Sequence, residues 1–352
     1  AGWPPAKRAG VETIAGHARI VARGKVVVDG QTFEAENILI ATGSRPAVPR
    51  IPGLETALDS TGILDRASVP ESIVIIGGGF IGLEFAGFYA AVGSKVTVLE
   101  ALPNAAAGCD RDIAKRLTDS LVKEGVALKT SCRVLAVEGS AVRYRDAAGE
   151  THTIEAECVL NSTGRVPVVN DLGLETIALD FDARGVRTSD EGRTSVPGVW
   201  ACGDVTGRRL LAHAATREGF VAVNNMFGVK DRIHYHTIPA VIYTHPEVAS
   251  VGYTEEELKA QGVAYKRALL PMSVAGRFLV ENEGASGVIK ALADTRHGEI
   301  LGVHAAGDGA SEFIVLAAAM METGMRARDI HPVVFPHPTV SEALKSALLE
   351  VI

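Results

Sequence analysis

Short apolar runs that alternate with glycines dominate the middle of the chain. Ile73–Ile76 and Lys95–Leu99 have the length and composition of buried parallel strands. The glycine-rich segment between them opens an apolar stretch that ends near Val92 and predicts a helix. The order strand, helix, strand is the repeating unit of an open parallel sheet. A small antiparallel meander is predicted after it, from alternating strands at 126–137, 141–145 and 153–160.

The pattern changes in the last third of the chain. Val199–Cys202 predicts one more buried strand, and the stretch from Ala212 to Met226 predicts a helix. Beyond His236, polar alternation replaces the continuous apolar runs, which favours antiparallel strands and a separate α+β domain. Strands are predicted near 248–252, 264–270, 286–293 and 299–305, and helices near 254–261, 310–323 and 340–350.

One sequence pattern occurs twice. Glu34–Pro46 and Glu155–Pro167 are identical at seven of thirteen positions, at a constant offset of 121 residues. Each copy has a polar turn, a short apolar strand and then Thr-Gly, where the chain can approach a ligand closely. The repeat predicts two related domains.

The repeat also bears on the beginning of the sequence. The second copy follows a glycine loop at Gly77, and counting back 121 residues would put a corresponding first loop before Ala1. We therefore expect the sequence to begin inside a domain. The alternative is a naturally shortened domain, although a sheet cut at that point would expose apolar edges.

The loop that opens the first predicted helix has the pattern Gly-x-Gly-x-x-Gly, formed by Gly77, Gly79 and Gly82. Between a strand and a helix this pattern is typical of a dinucleotide site: the first glycine allows the turn, the second admits a pyrophosphate, and the third permits close packing. Glu100, eighteen residues after Gly82, could bind an adenosine ribose and repel a 2′-phosphate, which favours NAD over NADP. The alternatives are glycines that serve turn geometry alone and a solvated carboxylate.

Two further carboxylates have both a functional and a structural interpretation. Glu84, on the predicted helix, could face a nicotinamide ring or interact with the helix dipole. Asp204 follows a predicted strand and a glycine, where it could accept hydrogen bonds from sugar-like hydroxyls or serve as a turn residue. Taken with Thr42-Gly43 and Leu211–His213, Asp204 favours a second cofactor site.

The segment His337-Pro-Thr-Val-Ser-Glu342 carries candidate acid–base chemistry. A histidine exchanges protons near neutral pH, and a neighbouring carboxylate fixes its tautomer, as a group serving a thiol would require. Thr339–Glu342 also matches a capping box at the start of the last predicted helix. The two interpretations compete for one carboxylate, and the residues alone leave both open.

Composition and charge limit the classes of molecule that the chain is expected to bind. The 352 residues are 47% hydrophobic and 22% charged, with a net charge of −7, and no basic cluster suggests nucleic acid or an anionic membrane. The longest apolar stretch contains five glycines and Glu84, so a membrane span is not expected. The four cysteines, at positions 109, 132, 158 and 202, are too widely spaced to favour a metal site or a disulfide framework, and they fit a reducing cytoplasm.

Together these motifs resemble the pyridine nucleotide-disulfide oxidoreductase family over nearly the whole chain. Within that family, Glu100, Tyr243–Glu247 and Ile300–His304 are most similar to the dihydrolipoyl dehydrogenase branch. The segments that carry the resemblance are Ala41–Pro46, Gly77–Gly82 with Glu84 and Glu100, Ser162–Arg165, Cys202–Val205, Ile242–Gly252, and His337–Thr339 with Glu342.

The resemblance implies an α/β fold with a Rossmann-like NAD domain beside the remainder of a related FAD domain, and a C-terminal α+β dimerisation domain. The implied segments are 1–69 for the partial FAD domain, 70–189 for the NAD domain, 190–236 for the central return to the FAD domain, and 237–352 for the dimer interface.

The implied enzyme passes electrons between dihydrolipoyl or disulfide groups and NAD through FAD. Its implied partners are a second copy of the chain, with which it forms a homodimer, and a lipoyl-bearing protein or a small disulfide. The expected location is the cytoplasm, and no metal, nucleic acid or membrane is expected as a partner. The alternatives are a related NAD(P)H-dependent flavin reductase of disulfides, metal ions or quinones, and a non-catalytic NAD-binding remnant.

The resemblance also implies roles for individual residues. His337, oriented by Glu342, would act as acid–base on redox cysteines of the partner subunit. The family's N-terminal glycine loop and Cys-x4-Cys pair do not occur in this sequence, so we expect the segment that carries them to be missing. FAD would contact Gly43, Asp204 and Ala212, and NAD would contact Gly77, Gly79, Gly82, Glu84, Glu100 and Gly164.

Overall fold

The computed structural model describes residues 9–284 and 286–352 of the chain. By their internal contacts these residues divide into two compact units, each assembled from two separate stretches. The first unit comprises residues up to 45 together with 165–233, and the second comprises 46–164 together with 234–352. The four domain segments expected from the sequence stay a prediction, and residues 1–8 of the first segment lie outside the described residues.

The described elements are 21 strands, β1 to β21, and seven α-helices, α1 to α7, numbered in chain order. The strands are Ala18–Ala22, Lys25–Val28, Gln31–Glu34, Ile38–Ile40, Ser44–Pro46, Ser72–Ile76, Lys95–Leu99, Ala127–Lys129, Arg133–Glu138, Ala141–Arg145, Thr151–Glu155, Cys158–Asn161, Arg165–Pro167, Phe181–Asp182, Gly185–Val186, Val199–Ala201, Ala240–Ile242, Val248–Gly252, Tyr265–Pro271, Val288–Asp294 and Ile300–Ala306. The helices are Phe80–Ala91, Arg111–Lys123, Ala212–Met226, Glu255–Gln261, Gly276–Glu281, Ala310–Glu322 and Glu342–Leu349.

The first unit is built from small sheets around one apolar core. Strands β1, β2 and β3 form an antiparallel meander, β4 pairs in parallel with β16, and β5 pairs with β13. Ile20 of β1, Ile40 of β4 and Val199 of β16 are buried in the same core. The meander of β1 to β3 has no counterpart in the sequence-based prediction.

A four-stranded parallel sheet in the second unit has the order β12-β6-β7-β8. The strands are apolar on both faces because helices cover one face and the antiparallel strands β9 and β10 cover the other. Leu83 of α1 and Leu117 of α2 are fully buried against Ile75 and Val98 of the two central strands. Each such side chain stabilises the packing by roughly 1.5–3 kcal/mol relative to exposure.

The predicted strand at 126–137 is wrong in one respect, because the structure contains two strands there. Ser131 adopts φ 53°, a left-handed conformation that interrupts the strand after β8. Strand β8 then belongs to the parallel sheet, and β9 starts the antiparallel meander β9-β10-β11. The stretch at 153–160 is likewise divided, between the meander and the parallel strand β12.

The C-terminal part of the second unit is the antiparallel domain that the sequence predicts. Its sheet has the order β17-β18-β21-β20-β19, and helices α6 and α7 contribute to its core through residues such as Phe313 and Leu344. Two short elements were not predicted, strand β17 and helix α5, and both are too short to show a periodic pattern.

Candidate functional site

The glycine loop adopts a geometry that only glycine permits at two positions. Gly77 has φ 108°, and a Cβ there would overlap the backbone of Ser162. A Cβ on Gly82 would overlap the carbonyl oxygen of Gly77. At Gly79, by contrast, a Cβ would meet no described atom within 4 Å, and this residue is the N-cap of α1. The free amides at the start of α1 therefore face open space, as pyrophosphate binding requires.

Glu100 holds the loop together from the end of β7. Its carboxylate accepts hydrogen bonds from the amides of Gly78 and Leu102, both at 2.6 Å, and the residue is only 9% exposed. The predicted alternative, a solvated carboxylate, is wrong because both oxygens bind backbone amides. Each oxygen retains a second lone pair, which could still accept a hydrogen bond from a ribose hydroxyl. That role of Glu100 stays a prediction.

A cavity of about 630 Å³ opens at this loop. Gly77, Gly79, Glu100 and Gly164 all line it, so the structure brings these predicted residues together. Gly164 has φ 121°, and a Cβ there would meet no described atom within 4 Å. The open glycines and the helix N-terminus fit a dinucleotide, and the exposed side chains of Arg50 and Arg133 that also line the cavity would add favourable charge for its phosphates.

Glu84 lies on α1 but in a different cavity, of about 850 Å³. Its carboxylate accepts a hydrogen bond from the Tyr243 amide at 2.8 Å. Burial raises the pKa of Glu84, and the Tyr243 hydrogen bond opposes that shift. Phe85, Phe88 and the 70% exposed Tyr243 line the same cavity. The arrangement provides an apolar surface with the carboxylates of Glu84 and Asp65 and the guanidinium of Arg66 at its border. The predicted contact of Glu84 with nicotinamide stays a prediction.

The first unit contains the residues predicted to contact FAD. Ser44, next to Gly43, donates a hydrogen bond to Asp204 Oδ2 at 2.5 Å. Arg165 donates to the Ser44 hydroxyl at 2.8 Å and to the Ser44 carbonyl at 2.9 Å. Gly43 has φ 71° with no described atom within 4 Å of a Cβ position. Asp204 is thereby fixed beside an open backbone position.

Ala212 is exposed and is the first residue of α3, whose N-cap, Leu211, makes no side-chain capping bond. The uncapped amides of a helix N-terminus favour an electron-rich ligand. The buried carboxylate of Glu218 on the same helix accepts the Gly203 amide at 2.5 Å, which ties α3 to the turn that carries Asp204. This arrangement fits a flavin, with Asp204 and the α3 amides as polar contacts.

The His337–Glu342 pair forms as the sequence suggested. His337 Nδ1 lies 3.0 Å from Glu342 Oε1, and the amide of Thr339 donates to Glu342 Oε2 at 3.0 Å. One carboxylate thus serves both partners, so the expected competition does not arise. The Thr339–Glu342 capping box is only half formed, because Ser341 is the N-cap and the Thr339 hydroxyl donates to the Pro336 carbonyl instead.

The electrostatics of this pair favour an ionised carboxylate. Hydrogen bonds from the Thr339 amide and then from His337 hold the pKa of Glu342 below its ordinary value. The His337 side chain is 77% exposed, and the described residues provide no hydrogen bond to its Nε2. The second ring nitrogen is therefore accessible to a substrate or partner group.

Sequence reasoning missed Ser44, Arg165, Arg50 and Arg133. Ser44 and Arg165 occupy equivalent positions of the two repeat copies, so the repeat held a signal for their pairing. The two cavity-lining arginines had no such signal, because the cavity joins residues that are distant in sequence.

One further group offers possible metal ligands, namely Asp146, Glu150 and His152. No metal site was predicted from the sequence. Asp146 already accepts hydrogen bonds from the amides of Ala148 and Glu150 and contacts His152 Nε2 at 2.7 Å. These contacts account for the turn without an ion.

Comparison with known proteins gives two matches to family models. Residues 6–219 match the model described as pyridine nucleotide-disulphide oxidoreductase, and residues 238–348 match the dimerisation domain of the same family. Within the described residues, no helix has both the length and the apolar character that crossing a membrane requires.

Several curated relatives cover almost the whole chain. It is 40% identical to dihydrolipoyl dehydrogenase 3 of Pseudomonas aeruginosa, over 97% of this chain and 75% of the relative. It is 38% identical to dihydrolipoyl dehydrogenase of Cupriavidus necator, over 97% of this chain and 74% of that relative. Among solved structures, the HOCl-induced flavoprotein disulfide reductase RclA from Escherichia coli matches with a TM-score of 0.86 and 27% identity, over 97% of this chain and 80% of that chain.

Proposed function

Since the chain belongs to the pyridine nucleotide-disulphide oxidoreductase family, we propose that the group it oxidises is a dihydrolipoyl dithiol. The protein is a flavin-dependent disulfide oxidoreductase, and FAD and NAD are its cofactors. FAD, when bound, relays the two electrons that a dithiol loses on forming a disulfide to NAD⁺, which becomes NADH. The 38–40% identity to dihydrolipoyl dehydrogenases supports the choice of dithiol.

The observation that carries this proposal is the contact between His337 and Glu342. Glu342 holds the Nδ1 side of the imidazole, which leaves Nε2 accessible for proton exchange. A thiol must lose its proton before it attacks a disulfide, because the thiolate is the nucleophile. We assign His337 as the acid–base that accepts this proton at Nε2, and Glu342 as the residue that orients it.

The glycine loop and Glu100 then bind NAD in the second unit. The amides at the start of α1 contact the pyrophosphate, and Gly79 and Gly164 leave room for it. Glu100 accepts a ribose hydroxyl with its remaining lone pairs. Glu84 provides a carboxylate near the nicotinamide, and Gly43, Asp204 and Ala212 contact FAD in the first unit.

We further propose that the chain acts as a homodimer in the cytoplasm with a lipoyl-bearing protein as its partner. The dimerisation-domain match over 238–348 supports the homodimer. The four cysteines are all free, which fits a reducing compartment. Sedimentation of the purified protein should give twice the chain mass, whereas a monomer at micromolar concentration would contradict the homodimer.

The function is tested by turnover with lipoamide and NADH, and with dihydrolipoamide and NAD⁺, on flavin-loaded protein that also carries the family's N-terminal segment with the Cys-x4-Cys pair. We expect both directions to proceed, with NAD preferred to NADP. Failure to reduce lipoamide, despite bound flavin and reduction of that flavin by NADH, would exclude the dihydrolipoyl assignment. The similarity to RclA makes a disulfide other than lipoamide the second candidate substrate. Activity on small disulfides without activity on lipoamide would favour this second candidate.

A further inference from the structure

A buried cluster of charges lies beside the N-terminus of α2. Lys290 of β20 is fully buried, and its Nζ lies 2.7 and 2.9 Å from the carboxylate oxygens of Asp110, which is also fully buried. Asp112 and Glu255 each place one oxygen against the same amine, at 2.8 and 2.6 Å. Arg267 contacts these two carboxylates at 2.7 and 3.0 Å. Such a cluster persists in a protein interior only when its charges are mutually compensated.

Glu255 and Lys290 remain ionised at neutral pH. Burial works to raise the pKa of Glu255, but hydrogen bonds from Lys259, Lys290 and Tyr265 outweigh it and bring the pKa to about 2. Burial likewise works to lower the pKa of Lys290, but hydrogen bonds to Asp110 and its neighbouring carboxylates raise it. The Lys290–Glu255 ion pair is therefore present throughout the neutral pH range.

Asp110 stands at the end of a segment that borders the dinucleotide cavity. We call residues 101–109 the wall segment, because Ala101, Leu102 and Ala107 line that cavity. The segment runs from Glu100, which holds the glycine loop, to Asp110, which is the N-cap of α2. It thus connects the predicted ribose contact with the buried cluster.

The wall segment is attached near its middle and at its far end. Near the middle, Ala106 donates its amide to the carbonyl of Gly78 in the glycine loop at 2.8 Å. At the far end, Asp110 binds Lys290 through both oxygens and also accepts the Glu255 amide at 3.1 Å. The far attachment belongs to strands and helices of the C-terminal domain.

Ala105 and Ala106 are buried in the core and Cys109 packs against it, but the other residues of the wall segment are exposed and have little support from packing. A second cavity, of about 340 Å³, is lined by residues of the segment and by Thr254, Glu256 and Glu257 of the α4 N-terminal region. Open space therefore borders the segment at this cavity as well as at the dinucleotide cavity. Close packing, which fixes the position of most interior segments, is incomplete here.

We propose that the Lys290–Asp110 ion pair positions the end of the wall segment, residues 107–109, and thereby sets the shape of the dinucleotide cavity at Ala107. Lys290 and Asp110 are positioning residues that touch no reacting atom. The proposal rests on the proposed function, because it takes the cavity to bind NAD. It makes NAD affinity depend on a contact made by the C-terminal domain.

The test measures ADP-ribose binding by isothermal titration calorimetry, since this probe contains the part of NAD that faces the wall segment. Asp110→Asn retains a capping side chain for α2 but removes the charge opposite Lys290. We expect its dissociation constant for ADP-ribose to rise about tenfold, within the range by which residues outside a site change affinity. KM for NAD should rise with it while kcat stays unchanged. Lys290→Met should also raise the dissociation constant for ADP-ribose. If Lys290→Met does not fold, the result for Asp110→Asn decides the test by itself.

Arg267→Met is the matched control, because Arg267 pairs with Asp112 and Glu255 of the same cluster. It should lower the unfolding temperature and leave ADP-ribose affinity within about twofold of the wild type. Hydrogen exchange at the Ala106 amide should accelerate in Asp110→Asn and not in this control.

Two results would overturn the proposal: wild-type affinity for ADP-ribose in Asp110→Asn, or an equal loss of affinity in Arg267→Met. If the wild-type protein itself does not bind ADP-ribose, the proposed function fails instead. The two failures are therefore distinguishable.

Discussion

Two histidines of the C-terminal domain have opposite environments. His304 on β21 is 1% exposed, its Nε2 donates to the Tyr253 carbonyl at 2.9 Å, and its Nδ1 has no partner among the described residues. The His337 side chain is 77% exposed and its Nδ1 contacts Glu342. Burial lowers the pKa of His304, so that imidazole stays neutral at pH 7. An imidazole in this domain is therefore a candidate for acid–base chemistry only where a substrate can reach it, which is true of His337 and not of His304.

The largest expected effect is that of His337→Gln. Removing an acid–base group slows turnover by about 10²- to 10⁴-fold, while the exposed position should leave stability nearly unchanged. Stopped-flow measurement of dihydrolipoamide oxidation beside thermal unfolding checks both. Normal turnover in this variant would show that His337 is not the acid–base.

A smaller effect is expected for Glu342→Gln. The amide keeps an acceptor for the Thr339 N–H but loses the charge beside His337, so we expect turnover to fall about 10- to 100-fold, as when other residues that orient an imidazole are lost. The pH profile of kcat/KM should shift as well, because the charged partner of His337 is gone. A fall in stability with an unchanged profile would show that Glu342 only supports the start of α7.

His304 should affect stability and not turnover. Because its folded-state pKa lies below the ordinary 6.5, its contribution is full above pH 6.5 and is lost as the pH falls below that value. The loss can approach about 1.4 kcal/mol per pH unit. His304→Gln can still donate to Tyr253 and should remove this dependence, whereas His304→Leu should also cost about 1–3 kcal/mol at every pH. Urea unfolding between pH 5 and 8 measures the free energy of unfolding of each variant. If that free energy depends on pH in His304→Gln as it does in the wild type, the prediction is contradicted.

The smallest effect is expected for His245→Gln, which serves as the matched control for His337→Gln. His245 Nδ1 lies 3.1 Å from Asp308, and its side chain is 73% exposed, so its local geometry resembles that of His337. We expect turnover within about twofold of the wild type, as for ordinary surface substitutions. A large loss would make His245 a second candidate for the acid–base and would contradict the assignment of that role to His337 alone.

The continuous apolar runs on either side of the glycine loop were predictable from the sequence, and they are strand β6, helix α1 and strand β7. The amphipathic helix α2 was not predicted, and the α/β fold class is confirmed by the family matches. The family, the flavin-dependent activity and the two cofactors are confirmed as well. The break at Ser131 was not predictable, because a single left-handed residue leaves no periodic signal.

The candidate site was predictable as a set of residues but not as a geometry. The sequence placed Glu342 near His337, yet it presented the helix cap and the histidine as rivals, since it could not show that the two oxygens divide between them. It singled out Glu100 but not its two backbone amides. The Lys290 cluster joins residues up to 180 positions apart, and such a separation has no local signature.

The hydrogen bond between Arg165 and Ser44 has a consequence for the history of the two repeat copies. The two residues lie 121 positions apart, which is also the repeat offset, so each is the counterpart of the other. Two arginines at these positions would repel each other, and two serines could not span the same distance with both bonds. Identity at this pair is therefore incompatible with the contact. This side-chain contact therefore requires different residues at the two positions, and in related chains the two positions should change together.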